Sequence, residues 1–278
     1  MTEARDLNVR DLRNLTGVIH DVYGYDFSHY ARASFRRRVQ RVMDLQRLEG
    51  PDHLIHRLRK DRTFFERFLQ EITVNTTEMF RDPSFWRNVR DELLPEFRKF
   101  GKIRIWHAGC SSGEEVYSMA ILLHEAGMLD NAIIYATDID QGILHQARSG
   151  NHAIGHMELN IKNYERFGGA GQLQDYYKEV GDRAIFDQHL IRNVKYKIHN
   201  LVAGEQFMKF DLILCRNVMI YFDAELQREV IRLMHASCFH KGYMCLGAKE
   251  TIQWINSPEA AKFQLVMPKD SIYQKMRD

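Results

Sequence analysis

The sequence predicts an open α/β sheet that carries a helical domain at its N-terminal end. Three observations predict it. Apolar residues recur at helical spacing through almost all of residues 6–72. Residues 103–115, IRIWHAGCSSGEE, read as a buried strand, a small-residue loop and the start of a helix. A second apolar run, residues 132–136, ends in Thr137-Asp138 roughly 25 residues beyond that loop.

Taken in order, Leu12, Leu15 and Ile19 share one helical face, and Tyr23-Gly24-Tyr25-Asp26 breaks the pattern. A second helix is expected from Phe27 or Ser28, burying Phe35, Val39, Val42 and Met43. Arg37, Arg38 and Arg41 fall on its opposite side, with Arg36 on the flank. Residues 28–62 hold ten Lys/Arg against four Asp/Glu, in a chain whose formal net charge is +2. An arginine face of this kind is either simply solvated or docks an acidic partner, because guanidinium pairs strongly with carboxylates. A third helical segment is expected over residues 54–72, with Leu54, Ile55, Leu58, Phe65, Phe68 and Leu69 for burial. Polar and β-branched residues then take over in 73–82, and Pro83 suits the first turn of a helix through Trp86, Val89 and Leu93. These features divide the chain into a helical domain, 1–72, and an α/β domain, 73–278, with a junction over 73–100.

In the α/β domain the loop Gly109-Cys110-Ser111-Ser112-Gly113 has little side-chain bulk, so a ligand can approach its backbone and the free N–H groups of the following helix start. The spelling is Gly-x-Ser-x-Gly rather than the dinucleotide fingerprint, and an ordinary strand-to-helix turn explains it equally well. Asp138 tips the balance. An acid after the second strand is placed to hydrogen-bond ribose hydroxyls, so the order loop, helix, strand, acid favours a nucleoside cofactor. A helix over about 141–149 follows. Residues from Gly155 to about Arg192 read as an insertion with a turn at Gly168-Gly169-Ala170-Gly171. Tyr196-Lys197-Ile198 and residues 210–215 are further core strands, the second delivering Arg216-Asn217 at its end. A helix over 224–236, a strand over 243–247 and a terminal hairpin of 263–267 with 271–275 complete the chain.

Composition narrows the classes. A near-neutral charge argues against a general nucleic-acid binder. Cys110, Cys215, Cys238 and Cys245 show no CxxC spacing, so neither a zinc site nor a disulfide framework is suggested. No apolar run reaches the ~18 residues of a membrane helix, and MTEARDLNVRDLRN is too polar for a signal peptide, so the cytoplasm is the expected location.

Five stretches together resemble one family: residues 75–82 (NTTEMFRD), Gly113-Glu114-Glu115-x-Tyr117-Ser118, Thr137-Asp138-Ile139-Asp140, Ala147-Arg148-Ser149-Gly150 and residues 215–223 (CRNVMIYFD). They are similar to the CheR family of chemotaxis receptor methyltransferases, in order, from about Asp26 to the end. The resemblance implies a Rossmann-like class I methyltransferase domain dependent on S-adenosylmethionine, with an N-terminal all-helical domain and a small β subdomain inserted at about 155–192. It implies methylation of glutamate side chains on the cytoplasmic domain of methyl-accepting chemotaxis receptors, leaving S-adenosylhomocysteine. Its cofactor contacts fall on Asn75, Thr77, Arg81, Glu115, Asp138, Asn200, Leu201, Arg216 and Asn217. Within these, Glu115 or its neighbour would take the methionine ammonium, Asp138 the ribose hydroxyls and Asn200 the adenine edge. Arg81 is the candidate for steering the acceptor carboxylate and Tyr221 for lining the reacting centre. Arg36, Arg37, Arg38 and Arg41 become the receptor-docking face. The insert between Tyr176 and Asn200 is shorter than in enterobacterial members, whose subdomain grips a C-terminal receptor pentapeptide, which argues against tethering here. Two alternatives keep the cofactor: another acceptor, or a catalytically weak sensor of the donor or its product.

Overall fold

Asn8 starts the first helix, α1 (Val9–Tyr23), by accepting from the Arg10 and Asp11 N–H groups at 2.8 and 3.0 Å, while Asp11 accepts from the Asn8 N–H. Gly24, at φ 74°, ends it. The computed structural model describes residues 7–73 and 77–278 and divides the chain into two units. The first comprises Met1–Asn75 with Ile220–Glu229, the second Thr76–Met219 with Val230–Asp278.

In the first unit α1 is followed by α2 (Arg32–Leu45), α3 (Pro51–Lys60) and α4 (Arg62–Ile72). Leu15, Ile19, Phe35, Val39, Leu54, Leu58, Phe65 and Phe68 form its core. Helix α2 begins later than spacing suggests, because Asp26 ties residue 28 into a turn through the Ser28 N–H and Oγ at 2.8 and 2.6 Å. The expected single helix over 54–72 is two. Asp61 leaves helical geometry at φ −127°, ψ 98° and caps α4 through the Phe64 N–H at 2.9 Å. The stretch Ile220–Glu229 packs with this unit by backbone pairing: the Ala31 N–H donates to the Tyr221 carbonyl at 2.8 Å, the Asp223 N–H to the His29 carbonyl at 2.9 Å, and Tyr30 bridges Phe222.

The second unit is built on strands β1 (Ile103–Ala108), β2 (Ala132–Asp138), β6 (Val194–Ile198), β7 (Phe210–Cys215), β8 (Cys238–Leu246), β9 (Phe263–Met267) and β10 (Ile272–Lys275). They form a seven-stranded sheet in the order β6-β2-β1-β7-β8-β10-β9. The first five in that order are mutually parallel, and β10 pairs antiparallel with both β8 and β9. Order reverses at β1, so the carboxyl ends of β1, β2, β6 and β7 meet around one crevice. Helices α5 (Pro83–Asn88), α6 (Leu94–Arg98), α7 (Glu114–Glu125) and α8 (Gln141–Ser149) flank these strands in sequence. Helix α7 is apolar on almost every side, as expected of a helix buried among neighbours.

The insertion is richer than its spacing showed. It contains a helix, α9 (Met157–Phe167), and its strands β4 (Tyr177–Val180) and β5 (Arg183–Phe186) pair with β3 (Asn151–Ala153), which precedes the expected boundary. Strand β8 is also longer than expected, because a register shift against β7 near Phe210 and Leu212 lets the chain pair on both sides of it. The final helix, α10 (Ala224–Ser237), spans the division between the units.

Candidate functional site

The loop after β1 is fastened to the end of β2. Gly109 and Cys110 N–H groups both donate to the Thr137 carbonyl at 2.9 Å, and the Ser111 N–H donates to Asp138 Oδ2 at 2.9 Å. Gly109 is required here: at φ 78°, a Cβ would lie 2.8 Å from Val218 Cγ2. Asp138 also accepts from the Asp140 N–H at 3.2 Å, and the His199 N–H donates to its carbonyl at 3.0 Å. Burial pushes the Asp138 carboxyl from 3.8 up to about 6, against the lowering effect of those N–H donors.

At the first turn of α7 two adjacent glutamates diverge. Glu115 Oε1 lies 2.8 Å from His107 Nδ1, and its Oε2 accepts from Arg216 Nη1 at 3.1 Å. Burial would raise the Glu115 carboxyl, but the hydrogen bond from His107 and the Arg216 charge hold it below its ordinary value. Arg216 reaches a second carboxylate, Asp82 Oδ2, at 2.7 Å, donates to the Arg81 carbonyl at 3.2 Å and lies 4.1 Å from the Phe85 ring centroid. Two carboxylates thus face one guanidinium, and the His107 ring is a further partner of Glu115. Glu114 turns the other way. It accepts from Ser112 Oγ at 2.7 Å and lies 3.0 Å from His152 Nδ1 on β3, joining the cofactor-type loop to the small sheet.

Arg81 is half-buried between Phe80 and Asp82, which take left-handed φ values of 50° and 56°. Phe80 is locked by its N–H to Ser118 Oγ, 2.8 Å, and by stacking on Phe167 at 4.8 Å. The structure therefore brings Arg81, Glu115, Asp138, Arg216 and Asn217 to the strand ends together with residues 199–201. Asn200 Oδ1 accepts from the Val202 N–H at 2.9 Å, and Leu201 is buried. Thr77 is half-buried, and Asn75 lies outside the described residues. These residues fit an adenosyl amino acid: Ser111 Oγ beside Asp138 is buried without a hydrogen-bond partner among the described residues, so the loop has an unmet polar group where a ligand would lie.

In the first unit Arg36, Arg37 and Arg41 are exposed on α2. Arg38 is half-buried, donates to the Glu71 carbonyl at 3.2 Å and lies 5.8 Å from the Tyr221 ring centroid. Asp82, His107 and Glu250 line these contacts without having been selected from the sequence, whereas Glu114, the acidic neighbour of Glu115, turns away toward His152. Asp82 and Glu114 sit inside quoted motifs, and His107 is the one ionisable residue of an otherwise apolar β1 tip, but Glu250 has no local signal.

The family model for the CheR methyltransferase SAM-binding domain matches residues 75–266, and that for the CheR all-alpha domain matches residues 10–73. Among curated relatives, the Pseudomonas putida protein Cher3 is 37% identical over 275 residues, covering 99% of this chain and 100% of its own. The chemotaxis protein methyltransferase of Listeria monocytogenes is 28% identical, covering 87% of this chain and 90% of its own. Chemotaxis protein methyltransferase 1 of Vibrio cholerae is 33% identical, covering 74% of each.

Proposed function

The chain belongs to the CheR methyltransferase family, with S-adenosylmethionine as its cofactor, and from that premise we propose that it methylates glutamate carboxylates on the cytoplasmic domain of chemotaxis receptors. The observation that carries the reading is the grouping of Asp138, Glu115 and Arg216 at the carboxyl ends of β2, β1 and β7, where one acid suits ribose hydroxyls and the other an ammonium. Asn200, Leu201, Asn217, Thr77 and Asn75 are assigned to the remainder of the cofactor. When bound, S-adenosylmethionine supplies a sulfonium-activated methyl group.

The chain's own work is then positioning and desolvation. An acceptor glutamate is already ionised at neutral pH, so no base is needed to prepare it. What remains is to strip its water and hold one oxygen in line with the methyl carbon. Arg81 is assigned to steering that carboxylate by its charge. Tyr221 is assigned a role in turnover through its hydroxyl. Arg36, Arg37, Arg38 and Arg41 on α2 are assigned to docking an acidic receptor surface. No helix among the described residues is long and apolar enough to cross a membrane.

The test is incubation with labelled S-adenosylmethionine and receptor-bearing membranes, followed by mass mapping. Base-labile label on receptor glutamates is expected. Label confined to a small molecule would move the acceptor, and cofactor binding with no transfer to any membrane protein would make the chain a sensor.

A further inference from the structure

Glu250, 33 residues beyond Asn217 in sequence, holds it in space. Glu250 Oε2 accepts from the Asn217 N–H at 2.6 Å and from the Gly247 N–H at 2.7 Å. The residue is only 6% exposed, so both are charge-assisted bonds shielded from bulk water. They tie the end of β7 to the end of its parallel neighbour β8. Asn217 stands at φ 61°, a left-handed conformation that Asn enters more readily than most residues with a side chain, and the Glu250 bond to its N–H holds it there. Gly247 completes the clamp, because a Cβ there would lie 2.6 Å from Asn217 Nδ2 and 2.8 Å from Glu250 Oε2. Glu250 is itself fixed: its N–H donates to the Gly247 carbonyl at 2.8 Å, and its carbonyl accepts from Ser271 Oγ at 3.0 Å. All of these residues lie within the second unit.

We infer that Glu250 is a positioning residue for Asn217: its carboxylate holds the Asn217 backbone conformation and thereby sets the affinity for S-adenosylmethionine and S-adenosylhomocysteine. The inference rests on the assignment of Asn217 to the cofactor made above. A carboxylate that merely stabilised the fold would move the melting temperature without moving affinity.

Titration calorimetry of S-adenosylhomocysteine against the full chain separates these cases, with melting temperatures recorded for wild type, Glu250→Ala, Glu250→Gln and Gly247→Ala. Glu250→Ala should raise Kd by about tenfold or more, as loss of charged hydrogen bonds implies. Glu250→Gln should recover part of the loss, since its carbonyl oxygen can accept from the same N–H groups. Gly247→Ala should weaken binding without changing any charge. Should Glu250→Ala fail to fold, the other two variants decide. Wild-type affinity in both Glu250→Gln and Gly247→Ala, or lower melting temperatures with affinity intact, would overturn the inference. A wild-type chain that bound no S-adenosylhomocysteine would overturn the cofactor assignment itself, a failure distinct from variants that bind like wild type.

Discussion

Arginines in the two units live under opposite conditions. The Arg216 side chain is 2% exposed and sits between the carboxylates of Asp82 and Glu115 at 2.7 and 3.1 Å. Arg41 on α2 is 70% exposed, and its contact with Glu71, at 3.5 Å, is loose. A buried cation is a fixed part whose removal strands its more buried partner: Glu115, 17% exposed, keeps only His107 among the described residues, while Asp82, 33% exposed, recovers part of its hydration. An exposed cation contributes little to stability and acts through its field on whatever approaches. Arg38 stands between these cases, half-buried on the same helix as Arg41 but committed to the Glu71 carbonyl and the Tyr221 ring. One residue type is thus a fixed structural part at one address and, in the docking role proposed for α2, a means of recognition at another, and burial separates the two.

The contrast is most exposed to failure at Arg216. Arg216→Met should cost about 3–5 kcal/mol of stability in urea unfolding, because two carboxylates lose their cation. A loss below about 1 kcal/mol would place Arg216 with the surface arginines. Next in size is Tyr221→Phe, which keeps the ring beside Arg38 and removes only the hydroxyl. Turnover should fall about tenfold with S-adenosylhomocysteine affinity unchanged, the value of one hydrogen bond made in the transition state. Equal loss of both would move Tyr221 to binding. Arg38→Ala should lower stability by about 1 kcal/mol through its lost carbonyl bond and ring contact, leaving cofactor affinity untouched. The smallest effect on the chain itself belongs to the combined change of Arg36, Arg37 and Arg41 to Glu, which should leave stability within about 0.5 kcal/mol of wild type. Binding to a receptor fragment should nevertheless be lost, most visibly at low salt. Unchanged binding would remove the docking role.

What the sequence made legible follows from which interactions are local. Strands β1, β2 and β7 are mostly apolar runs, interrupted only by residues such as Arg104 and Asp211 near their starts, with small or polar residues at their ends, so their positions and Asp138, Arg216 and Asn217 could be read directly. Two helix boundaries could not. Asp61 and Asp26 override helical periodicity by capping and turning the backbone, and a short polar side chain does not announce which it will do. Helix α9 was hidden because Met157, Tyr164 and Phe167 are its main buried apolar residues over three turns, a sparse signal beside a glycine-rich turn. Glu250 was invisible for a different reason. Its role arises only when the sheet order sets β7 beside β8, and no spacing in the chain encodes that neighbourhood, whereas His107 meets Glu115 across the short loop between β1 and α7.

The attachment of Ile220–Glu229 to the first unit carries a lesson for anyone recombining such proteins. The tie of Ala31 to Tyr221 and the bridge of Tyr30 to Phe222 mean that the helical half consists of two pieces of sequence, with four of the seven strands of the large sheet lying between them in the chain. A chimaera that swapped only the leading helices between relatives would mate foreign residues with a native tyrosine segment. Graft boundaries should therefore be drawn twice, and the second, short transplant keeps residues 29–31 with their own pairing partners.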